Sequence, residues 1–203
     1  LARGMFDTIR HWYAQLPTQA QESNPKLKVL VARAEIHRGD YVASNALLNE
    51  ARQAFVAAGD SAGEGDVLTS QITIAYQNND RANAETLIER ATQLPLEPMG
   101  QIAFRLGRAW LKLGSHDWDA CRQDITEALA IPRITDDKRV DFIGMTYMYA
   151  PLAAVPGCLA ATETYCAEAA QRSLPGTAWR LGADELGTWP LLWRGLVDEA
   201  LTR

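Results

Sequence analysis

From Asn24-Pro25 onward, apolar side chains recur at Leu27, Leu30, Val31, Ala34 and Ile36, the spacing of one face of an α-helix. Asn24 reads as the N-cap and Pro25 as the first helical residue, where the missing N–H has no partner to lose. The pattern breaks at Gly39-Asp40 and restarts in "HRGDYVASNALLNEARQAF" (37–55), with Ser44, Leu48 and Ala51 on one face. A polar or glycine turn followed by such a helix returns in "NNDRANAETLIERATQLP" (78–95), with Ala84, Ile88 and Ala91. It returns again in "GSHDWDACRQDITEALAIP" (114–132), with Cys121, Ile125 and Ala128, and more loosely over 156–175. "RGLVDEALTR" (194–203) opens one more copy, and "ARGMFDTIRHWYAQLP" (2–17) reads as the second half of one.

The turn residues Gly4, Gly39, Asn79, Gly114, Gly157 and Gly195 lie 35, 40, 35, 43 and 38 residues apart. Leu-Pro or Ile-Pro closes the copies at 16–17, 94–95, 131–132 and 174–175, since proline cannot continue a hydrogen-bonded turn. Earlier helices are expected at about 65–78, 97–113, 136–150 and 177–193, and no segment alternates as a strand. This predicts an all-α fold of about ten helices in antiparallel pairs, coiled as a right-handed TPR-like α-solenoid superhelix. The expected organisation is one solenoid domain over 1–203. It consists of a half repeat 1–17, repeats at about 24–60, 65–95, 97–132 and 136–175, and a truncated copy 177–203. Both ends fall in mid-repeat, so an excised fragment of a larger protein is expected. Its uncapped ends, with Trp189 and Trp193 beneath Leu196 to Arg203, are expected to favour self-association. Trp110 and Trp118 are expected to pack within a repeat.

"FRLGRAWLKLGSHDW" (104–118) resembles the tetratricopeptide signature: Leu-Gly, an aromatic three residues on, a glycine turn and another aromatic. Residues 2–60 resemble, more narrowly, the start of the tetratricopeptide-like solenoid of MalT-type transcriptional activators. There an "RG…L…W…LP" helix precedes a polar linker, then "P-x-L…A" and a "G-x-x-x-x-A-x-x-L-L" helix. The counterparts are Arg3, Gly4, Trp12, Leu16, Pro17, Pro25, Leu27, Ala32, Gly39, Ser44, Leu47 and Leu48. Ser44 replaces the usual alanine and Asn79 a turn glycine; beyond residue 60 the likeness is at repeat level. That family comprises large signal-transducing ATPases with a LuxR-type DNA-binding end. The resemblance implies a solenoid between those parts, where inducer sensing or partner binding resides. The chain carries neither GxxxxGK[ST] nor a recognisable helix-turn-helix, so neither activity is carried over to it.

The net charge of −5, with no Lys/Arg run, argues against direct nucleic-acid contact. Three cysteines without framework spacing predict reduced thiols and a cytoplasmic setting. Arg3, Asp7 and Arg10 interrupt any signal peptide. Phe142 to Thr162 is uncharged and long enough to span a bilayer. Pro151, Pro156, Gly144 and Gly157 instead suggest two buried helices meeting at a turn, and no membrane association is expected. His11, His37 and His116 are scattered, without HExxH or a Cys/His cluster, and there is no GxSxG. No metal, no cofactor and no enzymatic activity are expected. Asp136-Asp137, Glu64 and Asp66 read as carboxylates that favour helix N-termini.

In this architecture the first helix of each pair lines the concave face. The inward positions include Arg33, His37, Thr73, Tyr76, Arg108, Lys112 and Tyr147, a surface that suits a sugar, an acidic peptide or a carboxylate. Arg33 and Arg108 would supply forked hydrogen bonds, and Tyr76 and Tyr147 flat apolar faces. Arg108 is expected to be exposed, so that its loss would barely change stability. The plainer alternative is a solvated face. The expected function is a regulatory sensor and protein-interaction domain of a MalT-like activator. Its partners would be a small sugar or peptide-like effector, another protein, and the neighbouring domains of the full-length protein. The alternative is a protein-binding TPR scaffold with no small ligand.

Overall fold

The computed structural model describes residues 2–135, 154–176 and 178–202. Eleven α-helices and no strand occur among them, so the described residues form an all-helical fold, as the periodicity predicts. The helices are α1 (Ala2–Gln15), α2 (Thr18–Ser23), α3 (Pro25–Arg38), α4 (Tyr41–Ala58), α5 (Ser61–Gln77) and α6 (Arg81–Ala91). They continue as α7 (Pro98–Gly114), α8 (Trp118–Ala130), α9 (Leu159–Arg172), α10 (Ala178–Trp193) and α11 (Val197–Thr202). The helix expected at 136–150, with Asp136, Asp137 and Tyr147, lies outside the described residues.

One device builds four of the turns: a left-handed residue followed by an aspartate. Gly39-Asp40, Gly59-Asp60, Asn79-Asp80 and His116-Asp117 each place a residue of positive φ (81°, 68°, 54° and 59°) before an aspartate. The left-handed residue and the aspartate together close the preceding helix: Gly39 N–H donates to Ile36 O and Asp40 N–H to Glu35 O, both at 3.0 Å. The aspartate carboxylate then caps the next helix, accepting from the N–H of Ala43, Gly63, Asn83 or Ala120 at 2.8–3.2 Å. Such a cap contributes about 1 kcal/mol. Asparagine and histidine tolerate positive φ better than most residues.

Three turn expectations need correction. His116, not Gly114, supplies the left-handed residue after α7, because α7 runs on through Gly114. Gly4 lies inside α1. Helix α5 begins at Ser61, not 65, because Asp60 caps it. The polar linker after Pro17 is also helical, as α2. Pro17 O accepts from Ala20 and Gln21, while the Gln21 amide covers Leu16 O at 2.8 Å.

Two compact units divide the chain, one up to Glu97 and one from Pro98 onward. The division coincides with the boundary between the second and third expected repeats. In the first unit Val29, Ala32, Ile36, Leu48, Ala51, Phe55, Val67 and Ile74 form one core joining α3, α4 and α5. Burying each of the larger side chains stabilises the unit by about 1.5–3 kcal/mol. Gly63 permits this packing, since a Cβ there would meet the Phe55 ring at 2.3 Å. In the second unit α7 and α8 bury Ile102, Leu106, Ala109, Trp110, Cys121, Ile125 and Ala128. Ile131 and Pro132 lie in a 3-10 turn (Ile131–Arg133) that prolongs α8. Trp118 departs from expectation: at the start of α8 it is 41% exposed, its ring 5.7 Å from that of His116 and nearly perpendicular to it. Trp189 and Trp193 are exposed, as expected.

Candidate functional site

The expected strip of first-helix residues divides between the two units. In the first unit Arg33 and His37 stand one turn apart on α3, and Thr73 and Tyr76 one turn apart on α5. Arg33 is engaged: its Nη2 donates to Asp66 Oδ1 at 2.9 Å and its Nε to Ser70 Oγ at 3.3 Å. It therefore ties α3 to α5 while remaining half-buried. Asp66, read from sequence as a helix-terminal carboxylate, is the partner of this arginine. The His37 ring stacks on Phe6 of α1, with centroids 3.9 Å apart and planes at 20°. Burial lowers the His37 pKa from its usual 6.5. The Thr73 hydroxyl donates back to Thr69 O at 3.2 Å. Tyr76 is half-buried, and burial pushes its phenol pKa up.

In the second unit Arg108 corrects the expectation of a cheaply removed, exposed arginine. Its Nε lies 2.9 and 2.8 Å from the two oxygens of Asp124, and Nη2 also donates to that carboxylate. Asp124 is 1% exposed. The hydrogen bond to Asp124 holds the guanidinium pKa above its ordinary value. Arg108 also lies 5.3 Å above the Phe104 ring, a cation–π arrangement. Lys112 stands 3.9 Å from Asp117, the carboxylate that caps α8. Tyr147 lies outside the described residues. Of the expected residues, then, Arg33 and Arg108 each serve an internal ion pair, and Thr73 and Tyr76 remain as partly exposed groups on α5.

Sequence reasoning assigned Glu64 only to a helix terminus. It is 4% exposed and bridges three helices. Arg90 of α6 donates to both its oxygens, at 3.1 and 3.3 Å, and Arg52 of α4 approaches Oε1 at 3.4 Å. An open cavity of about 470 Å³ lies over this cluster, lined by Asn49, Arg52, Gln53, Val56, Glu64 and Arg90. Of the lining residues, Asn49 accepts at Oδ1 from Gln71 Nε2 at 2.9 Å. Gln71 Oε1 is buried and has no hydrogen-bond partner among the described residues. Nothing local in the sequence marks this cluster, because its members come from three helices and meet only in the fold.

None of the described helices is long and apolar enough to cross a membrane. Comparison with family models, with curated proteins and with solved structures finds no match to the chain.

Proposed function

We propose that this chain is a regulatory sensor and protein-interaction solenoid domain of a MalT-like transcriptional activator. The observation that carries the reading is where the residues of the resemblance fall. Ala32, Ser44 and Leu48 are fully buried at the crossing of α3 and α4, Gly39 takes the left-handed conformation between them, and Pro25 starts α3. These positions serve the helix-pair unit that such sensors repeat. The second unit repeats the same turn and cap at His116-Asp117. In the first unit the surface offered to an effector or partner is that of α3 and α5 around Arg33, His37, Thr73 and Tyr76. The Arg33–Asp66 pair sets a guanidinium N–H donor beside a carboxylate acceptor, which suits hydroxyl-rich or peptide ligands.

One observation favours the alternative, a protein-binding scaffold with no small ligand: Arg33 and Arg108 are both held by internal carboxylates. Thermal-shift screening against sugars, nucleotides and peptides separates the two readings. A sugar or other small molecule that raises the unfolding midpoint in a concentration-dependent way supports the sensor. Stabilisation by peptides alone supports the scaffold.

A further inference from the structure

The cavity over Glu64 is lined by residues of α4, α5 and α6, none of them among the α3 and α5 residues of the proposed sensor surface, and its charges do not balance. Arg52 and Arg90 bring two positive charges to one carboxylate. Both Glu64 oxygens are already taken by arginine nitrogens, which leaves the carboxylate poorly placed to hold a cation. Arg52 reaches Glu64 through Nε alone, so its two terminal nitrogens have no hydrogen-bond partner among the described residues. The Asn49 carbonyl oxygen is taken by Gln71, which leaves the Asn49 amide nitrogen as its available group. Gln53 contributes a further amide, and Val56, 52% exposed, an apolar wall.

We infer that this cavity binds a small organic monoanion: a carboxylate held by the Arg52 fork and the Asn49 amide, with a short aliphatic stem against Val56. A planar carboxylate matches the two terminal nitrogens of a guanidinium. One negative charge neutralises the surplus positive charge beside Glu64. The cavity volume of about 470 Å³ lies within the range that holds small ligands. The carboxylate is supplied either by a free branched acid or by the C-terminus of a peptide, and both carry the same recognised group.

Isothermal titration tests this with N-acetyl-valine as the peptide-like probe, isovalerate as the free acid, and N-acetyl-valinamide and inorganic phosphate as controls. The inference predicts saturable binding of at least one of the two carboxylates and none of the amide. It predicts weaker binding of phosphate, whose double charge and tetrahedral shape fit the single fork poorly. Arg52→Gln is expected to weaken the carboxylate about tenfold or more, as loss of a charge-assisted pair implies. Arg52→Lys keeps the charge facing Glu64 but loses the fork, and is expected to fall between Arg52→Gln and the parent. Helical circular dichroism checks that each variant is folded. Preferential binding of N-acetyl-valine identifies a chain terminus as the source, and of isovalerate a free acid. Absence of carboxylate binding, equal binding of the amide, tighter binding of phosphate, or an unchanged affinity in both folded variants overturns the inference.

Discussion

The Ser44 hydroxyl donates to the Ala32 carbonyl at 2.9 Å, 12 residues back in the chain, and neither residue exposes any surface to solvent. In the second unit Cys121 Sγ lies 3.3 Å from the Ala109 carbonyl, again at a separation of 12. A small side chain with one donor thus sits at the crossing of α3 with α4 and at that of α7 with α8, where the helix backbones approach closely. Ser44 replaces the alanine that the resemblance leads one to expect, and its hydroxyl has a partner that alanine would lack.

Ser44→Ala is expected to cost about 1 kcal/mol, the net value of one hydrogen bond. Ser44→Cys, which imitates Cys121, is expected to cost less. Ser44→Leu overfills the crossing and is expected to cost about 3 kcal/mol or more. Urea unfolding of the three variants checks the order Cys, Ala, Leu.

Arg108→Ala is expected to destabilise the chain by about 2–3 kcal/mol, because it leaves the buried Asp124 carboxylate uncompensated; the figure is kept low because Arg108 is itself partly solvated. Adding Asp124→Asn is expected to recover part of the loss, since the neutral amide carries no charge to bury. A double-mutant cycle by denaturant unfolding measures the coupling. An Arg108→Ala variant as stable as the parent contradicts the assignment.

Acidification is expected to weaken the contact of α1 with α3. The folded-state pKa of His37 is lowered by burial from 6.5, so the unfolded chain binds the proton more readily. The contribution is fully present above about pH 6.5 and is lost as the pH falls toward the lower folded value. The unfolding midpoint between pH 8 and 5, compared with that of His37→Phe, reads this out. The variant keeps a ring against Phe6 and is expected to show a shallower decline.

Cys121 and Cys158 are expected to resist alkylation in the folded chain. Both are fully buried. Burial, aided by the neighbouring Cys158, Asp124 and Asp117, raises the Cys121 pKa to about 11, and burial also raises that of Cys158. A pKa two units above the 9.0 reference lowers the thiolate fraction about 100-fold at neutral pH. Iodoacetamide labelling followed by mass spectrometry, with and without denaturant, checks it. Rapid labelling of the folded protein contradicts the burial.

Helix identity was legible because periodicity and caps are local. Asn24-Pro25, Gly39-Asp40 and Asn79-Asp80 sit where the sequence places helix ends. His116 escaped notice because Gly114, two positions earlier, is the residue type that takes the left-handed conformation most readily. The candidate surface was less legible. The helical face of Arg33 and Arg108 follows from spacing, but their carboxylate partners lie 33 and 16 residues away. Glu64, Arg52 and Arg90 share no local motif; their meeting depends on three helices packing together.

The most direct measurement of the central claim is a titration of the chain with oligosaccharides and, separately, with acidic peptides, followed through backbone amide resonances. The account predicts saturable shifts from at least one class, clustered on α3 and α5 around Arg33, Thr73 and Tyr76, and their loss in Tyr76→Ala. No saturable shift from either class, or saturable shifts that leave α3 and α5 untouched, would contradict it.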